Sequence, residues 1–429
     1  MKIIGIIAEY NPFHNGHLYH LREAKAKTGA SHVVAVLSGN FVQRGEPAIV
    51  GKNARTKMAL AAGIDVVLEL PYMYAMSSAG YFASGAVSIL DNLGIVDEIA
   101  FGTEAQLADI EAVARVLREE PEDFKKALKD GLARGLSYPG ARARALDEFF
   151  CKLTTGGRTP PLQGLSCPDA RAICEFGNPD VFGIIKGPNN ILGIEYINSI
   201  ARIGSKMSVT TVERTVPHVG GRAGRFASAS EIRRSLLAGD FREAAVFMPE
   251  SSIEILKEAG AYHRFDNFSD AFQYKVRMSD ASDLREIAEV SEGLENRIIS
   301  ATRAYAKLDD IAMQVKTKRY TLSKVKRCLL NILLDVRKDV FVPAHKHGPA
   351  YARVLGFRKE SREVLTAIAE NSRIPLVSNL KHLPNFDATT QKFLEMELRA
   401  TDVYALSADR AEDSRLDSRQ EEYKTPIVY

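Results

Sequence analysis

Three of the chain's nine histidines, His14, His17 and His20, fall inside EYNPFHNGHLYHL at residues 9–21, beside Pro12 and Gly16. Imidazoles at that density could ligate a metal, clamp a phosphate chain, or merely be polar loop residues. Metal is disfavoured, because zinc sites usually recruit a carboxylate or thiol as well, and the chain has no HExxH and no cysteine pair at ligand spacing. The phosphate reading fits the local order. An apolar run ends, a Pro-containing turn follows, and Gly16 opens a helix whose free N–H groups are expected to face a crevice as an anion site. His14 and His17, three apart around Asn15-Gly16, would donate to phosphate and to the charge that grows on it during transfer. His20, one turn further in, reads as a helix-face residue outside the primary chemistry.

Regular β-α alternation must position these groups. IIGIIAEY (3–10), HVVAVLSG (32–39), VVLELP (66–71), EIAFGTE (98–104) and MSVTTVER (207–214) read as strands. Helices are expected over 16–29, 53–63, 77–94, 189–204 and 228–239, the last opened by Ser228 with Glu231 three residues later. Continuous apolar strands separated by helices predict an α/β fold, a Rossmann-like parallel sheet covered on both faces. Ligands of such sheets bind beyond the carboxyl ends of the strands, where EYNPFHNGH, LSGNFVQRGE, ELPYMYA and FGTEA all fall. Arg214, ending the fifth strand, is well placed there for a nucleotide. Gln43, Arg44 and Glu46 in the turn-rich loop are open to substrate contact without an assigned role.

The totals bound the remainder. A chain of 429 residues is long for one core, and 45% hydrophobic with 26% charged residues is a globular composition. Four scattered cysteines match no zinc pattern or compact disulfide framework and suit a reducing cytoplasm. The short N-terminal apolar run, interrupted by Glu9, is not a signal peptide, and no stretch reaches the roughly 20 apolar residues of a membrane span, so a cytoplasmic protein is expected. A net charge of +3 neither demands nor excludes nucleic acid. Residues 314–338 carry Lys316, Lys318, Arg319, Lys324, Lys326, Arg327, Arg337 and Lys338 against one acid, Asp335, with Tyr320 interleaved. That density suggests RNA backbone contact, with Tyr320 available to stack on a base, away from the nucleotide crevice. HVGGRAGRFA (218–227) reads as a lid, and the Gly/Pro-rich stretch within 151–188 as a long loop or insertion.

His14-Asn15-Gly16-His17 after a first strand resembles the HxGH motif of the nucleotidyltransferase superfamily, which includes class I aminoacyl-tRNA synthetases. The ordered set EYNPFHNGHLYHL, SGNFVQRGEPA, ARTKMAL, ELPY, FGTE, PNNILG and S-x-S-x-I-R resembles the bacterial tRNA(Met) cytidine acetate ligase family. The likeness is dense to about residue 240 and looser beyond, through KTKRYTLSKVKR, YARVLGF and IPLVSNL. It implies a nucleotidyltransferase (HUP-type) domain and a two-step reaction. ATP and acetate give acetyl-adenylate, and the wobble cytidine of elongator tRNA(Met) then takes the acetyl group on N4. ATP, carried with Mg2+, is implied as substrate; no protein ligand for the metal is assigned.

The resemblance also implies roles. His14, His17 and Lys57 would be catalytic, with Arg55 on acetate or phosphate. ATP would be bound by Ile7, Ala8, Glu9, Tyr10, Asn11, Pro12, Phe13, Asn15, Gly16, Leu18, Tyr19 and His20, and by Gly102, Asn189, Arg214, Ser230 and Arg233. Lys316, Lys318, Arg319, Lys324, Lys326 and Arg327 would hold tRNA. Three regions are expected: a catalytic domain over 1–245, a basic helical region over 246–340, and a small α/β part over 341–429. RIPLVSNL and VYALSA read as strand-like pieces of that last part. Two other readings are a small-molecule adenylyl- or cytidylyltransferase and a non-catalytic ATP-sensing RNA-binding protein. The basic helical appendage argues against the first, and the intact HNGH with Lys57 against the second.

Overall fold

A computed structural model describes residues 1–429 except 137, 155–179, 215–221, 292 and 410–421. Five strands lie where the apolar runs require them: β1 (Ile3–Ala8), β2 (His32–Ser38), β5 (Val66–Leu70), β6 (Glu98–Thr103) and β7 (Ser208–Glu213). Two-residue hairpins, β3 (Phe41–Val42) with β4 (Glu46–Pro47) and β8 (Arg222–Ala223) with β9 (Phe226–Ala227), hang from the sheet's carboxyl edge. The five long strands are parallel in the order β5-β2-β1-β6-β7. The winding therefore reverses at β1, and the crevice between β1 and β6 is where such sheets hold ligands. EYNPFHNGH leaves β1 and FGTE closes β6, one on each side of that crevice.

The sheet is mixed rather than purely parallel, because the C-terminal region joins it. β10 (Ala352–Phe357) pairs antiparallel with β5, and β11 (Leu376–Val377) and β12 (Ile427–Val428) pair with β10. The α/β part over 341–429 thus shares a sheet with the N-terminal domain. VYALSA is not a strand. It closes the helix Ala388–Ala405, whose N-cap Asp387 accepts from the N–H groups of Thr389 and Thr390 and whose Phe393, Leu394 and Tyr404 are buried at helical spacing.

The crossover helices run over Asn15–Thr28, Lys52–Ala61, Ala79–Asn92 and Pro188–Ile203. Gly29, at φ +64, stops the first. A Cβ on Gly5 would meet Leu90 at 2.6 Å, so glycine in β1 lets the third crossover helix lie close on the sheet. Residues 250–340 are mainly helical, as their pattern predicts, and one apolar cluster runs from a sheet face through Phe41 and Phe268 into this region. Most of the Gly/Pro-rich segment, and His218–Gly221 of the expected lid, fall outside the described residues.

Candidate active site

The turn after β1 is held by its own side chains. Tyr10 takes φ +44, Asn11 Oδ1 accepts from the N–H of Ile49 at 2.7 Å, and the fully buried Phe13 ring packs edge-on beneath Tyr10. His14 is then the N-cap of the first helix. Its Nδ1 accepts from the N–H of Gly16 at 3.0 Å, while His17 Nδ1 accepts from the N–H of His14 at 3.3 Å. This is a capping box made of two imidazoles in place of Ser and Glu. The rings stack at 3.7 Å between centroids. A nitrogen that accepts an N–H carries no proton, so in each neutral ring the proton sits on Nε2. Both residues line one cavity.

Two expectations change here. The first-turn N–H groups are not free: Asn15 donates to Phe247 O, Gly16 to His14 Nδ1, and His17 to His14 O. The histidine rings, rather than the helix backbone, therefore face the ligand space. Gly16 serves the cap before it serves a ligand, since a Cβ there would meet His14 Cε1 at 2.8 Å.

The cavity measures about 580 Å³, the size of a small-molecule or nucleotide site. From the expected nucleotide set, Ile7, Ala8, Glu9, Tyr10, Asn11, Gly16, Tyr19, His20, Gly102, Asn189, Arg214, Ser230 and Arg233 line it together with His14 and His17. Pro12, Phe13, Asn15 and Leu18 do not. Phe13 and Leu18 belong to the apolar cluster under the turn, Pro12 shapes the turn itself, and Asn15 Nδ2 donates to Arg225 O at 2.9 Å. His20 is closer to the site than its helical phase implied. Burial, with the charge of Arg214, pushes its ring down to about 4, and Nε2 has no partner among the described residues.

Opposite the histidines, Gly102 leaves space beside Arg214, whose side chain a Cβ would crowd at 3.4 Å. Arg214 is oriented by Glu104 at 3.7 Å and by Asn189 Oδ1 at 3.4 Å. Asn190 is buried and accepts from Thr103 Oγ1 and the N–H of Glu104, both at 2.9 Å, binding the helix start to the end of β6. Arg233 reaches back to donate to Asn11 O at 2.9 Å; burial lowers its pKa, opposed by Glu46 and Glu9.

Not every expected residue arrives. Lys57 is exposed and lies in a separate, smaller depression with Asn53, Glu258 and Lys424. It follows Arg55 by two residues, which on a helix is the opposite face. Arg55 is completely buried and donates to four carbonyls, Val50 at 3.1 Å, Glu9 at 2.7 Å, Ser38 at 3.0 Å and Gly39, so it ties strand ends together instead of meeting a ligand. Burial lowers its pKa to about 10, which leaves it charged.

The basic segment also divides. Lys316, Lys318 and Arg319 are exposed, and Lys324 lies over the Tyr320 ring at 5.1 Å. Tyr320 is buried, which removes it as a stacking platform. Lys326 is buried between Glu46 at 2.8 Å and Asp309 at 2.7 Å. Arg327 pairs with Glu289 at 2.8 Å and lines the cavity, as does Ser323. The helix Leu322–Leu333 therefore borders the crevice instead of standing away from it.

The cavity wall also includes residues given no role from sequence. Gln43, Arg44 and Glu46 come from the β3–β4 hairpin, and Tyr196 from the helix Pro188–Ile203. Tyr196 was findable: Asn189, Leu192 and Tyr196 stand at i, i+3 and i+7, one helical face. Burial is the largest influence on Glu46 and opposes its charge, but Lys326, Arg233 and Arg44 outweigh it and hold the carboxyl below its ordinary value.

The model of the HIGH Nucleotidyl Transferase family matches residues 1–419. The tRNA(Met) cytidine acetate ligase of Acetivibrio thermocellus is 41% identical over 95% of this chain and 95% of its own length. That of Alkaliphilus metalliredigens is 38% identical over 95% and 94%. The crystal structure of Thermotoga maritima TmcAL bound with alpha-thio ATP superposes with a TM-score of 0.85 at 34% identity, covering 100% of this chain and 99% of that one.

Proposed function

The chain belongs to the HIGH nucleotidyltransferases and, within them, to the tRNA(Met) cytidine acetate ligase family, and from that premise we propose that it joins acetate to a tRNA(Met) cytidine at the expense of ATP. In the first step an acetate oxygen attacks the α-phosphate, the bond to the β-phosphate breaks, and pyrophosphate leaves. In the second the N4 amine of the wobble cytidine of elongator tRNA(Met) attacks the acetyl carbonyl. The bond to AMP breaks, and one N4 proton is released.

The observation that carries this reading is the reciprocal cap of His14 and His17. It fixes both rings along a cavity of nucleotide size at the sheet's switch point, each with Nδ1 on a backbone N–H. Their part is to neutralise charge on the transferring phosphate with no rearrangement at the moment of reaction. Gly102, Asn189 and Arg214 are the nucleotide side of the cavity. Ser230 and Arg233 come from the helix Ala229–Leu237 and suit the phosphate chain. Magnesium carried by the nucleotide would supply charge neutralisation on the phosphates. Glu9, a cavity carboxylate with no ion pair among the described residues, suits a hydrated cation there.

Lys316, Lys318 and Arg319 lie on the segment leading into the helix that supplies Ser323 and Arg327 to the cavity. They suit an RNA backbone whose base enters from that side. A cytoplasmic enzyme follows from a tRNA substrate; among the described residues no helix is long and apolar enough to cross a membrane.

Pyrophosphate release from ATP, with and without acetate and tRNA, tests the proposal. Acetate-dependent release, followed by N4-acetylcytidine in elongator tRNA(Met), is expected. Release that ignores acetate and requires another acceptor would overturn it.

A further inference from the structure

We propose that Gln43, assisted by Arg327, is the subsite that receives the Watson–Crick edge of the acceptor cytosine; the inference rests on the ligase reading above. Gln43 lines the cavity from the β3–β4 hairpin, and its backbone is clamped from both sides. Its N–H donates to Glu9 Oε1 at 2.8 Å, and its carbonyl accepts from Arg327 Nη1 at 3.3 Å. Both clamps are themselves held. The Glu9 carbonyl accepts from Arg55 at 2.7 Å, and Arg327 is bidentate on Glu289 at 2.8 and 3.2 Å. The hairpin is packed in place as well: Phe41 and Val42 are buried, and a Cβ on Gly45 would meet Arg327 N at 2.6 Å. Both of the Gln43 hydrogen bonds use its backbone, and none among the described residues uses its side-chain amide.

An amide is one acceptor and two donors in a plane. The edge of cytosine offers an N4 amino donor beside the N3 and O2 acceptors. Gln43 Oε1 can accept one N4–H while Nε2–H donates to N3, and a guanidinium N–H of Arg327 not used by Glu289 or Gln43 suits O2. With one N4–H bound, the nitrogen attacks the acetyl carbonyl with the other N–H outward. That second proton is lost and the bond to AMP breaks, so the product keeps the N–H that Gln43 holds.

Position separates this base from the adenine of ATP, whose edge an amide also fits. Gln43 lies at the wall shared with the helix Leu322–Leu333, next in the chain to the exposed cations Lys316, Lys318 and Arg319. Gly102 in β6, with Asn189 and Arg214 after it in the chain, lies on the other side of β1 from β2 and the hairpin that follows it.

The test compares the two half-reactions in Gln43→Ala. Acetate-dependent exchange of pyrophosphate into ATP reports the first, and N4-acetylation of elongator tRNA(Met) the second. Acetylation kcat/KM is expected to fall by about 10- to 100-fold, with acetyl-adenylate accumulating, while exchange changes by less than about threefold. Gln43→Glu, which keeps the acceptor and loses the donor to N3, is expected to fall between the two proteins. Parallel loss of both half-reactions would assign Gln43 to the nucleotide and overturn the proposal, and so would acetylation at the wild-type rate. Absence of acetate-dependent exchange in the unaltered protein would instead sink the ligase reading itself.

Discussion

The first two crossover helices follow β1 and β2, the adjacent strands at the centre of the sheet, and open at the same edge, yet their polar residues have opposite fates. At the start of Asn15–Thr28, two imidazoles accept backbone N–H groups through Nδ1, His14 from Gly16 and His17 from His14, and both rings line the cavity. At the start of Lys52–Ala61, every cation on the inward face is consumed by the protein. Lys52 pairs with Glu69 at 2.6 Å and Glu422 at 2.9 Å, and Arg353 completes the square at 2.9 Å to Glu69 and 2.6 Å to Glu422. Arg55, one turn on, is spent on carbonyls. Buried cations next to the cavity loops can thus be structural throughout, and the deciding fact is whether another part of the chain brings them partners.

The largest effect expected from breaking this contrast is on stability. Glu69→Ala leaves Lys52 and Arg353 buried with half their counter-charge, and should cost about 3–5 kcal/mol in urea unfolding. Unchanged stability would mean the square is not closed in solution. The same cluster predicts an acid response. Burial opposes the charge of Glu422 most strongly, but Lys52 and Arg353 together outweigh it and hold the carboxyl at about 2, against 4.5 ordinarily. A depressed folded-state value means that the stabilisation is complete above about pH 4.5 and is lost as pH falls towards 2. Glu422→Gln should flatten the Tm profile in that window.

On the cavity side the expected effects fall on rate. His17→Ala should lower acetate-dependent pyrophosphate release by ~10²-fold or more. His14→Asn, which can still cap the helix, should hold Tm near that of the unaltered protein while losing activity to a similar degree. If His14→Asn stays active, the ring serves the cap alone. Smaller again is the RNA surface. Replacing Lys316, Lys318 and Arg319 together by Gln should weaken tRNA binding and reduce the slope of log K against log salt by up to about 3, whereas an unaltered slope would place the RNA elsewhere. The smallest effect belongs to Lys57→Ala, exposed and outside the cavity. Stability within about 0.5 kcal/mol is expected, with pyrophosphate release changed less than about twofold. A large loss of release would return Lys57 to the chemistry.

Legibility followed the range of the interactions. The five parallel strands and their helices were readable because apolar runs and 3.6-residue spacing are local signals, and the turn from IIGIIA to HNGH marked the crevice for the same reason. VYALSA misled because a short apolar run has no period of its own; the buried face that makes it helical begins at Phe393, ten residues earlier. Lys57 and Arg55 mislead because nearness in sequence to the crevice loop says nothing of helical phase, which sends Arg55 into the packed interior and Lys57 to the surface. Lys326 and Tyr320 looked like an RNA face, but Glu46 and the cluster under the helix bury them.

By itself, then, the sequence determined the α/β alternation, the placing of the crevice at the end of β1, and the identity of its histidine pair, since each depends on neighbours within a few turns. Only the tertiary structure decided which ring nitrogen keeps the proton, which arginines remain for a ligand, and that the basic helix borders the cavity. Those outcomes depend on contacts between residues far apart in the chain, such as Gln43 with Arg327 and Lys52 with Glu422, and no local pattern records them.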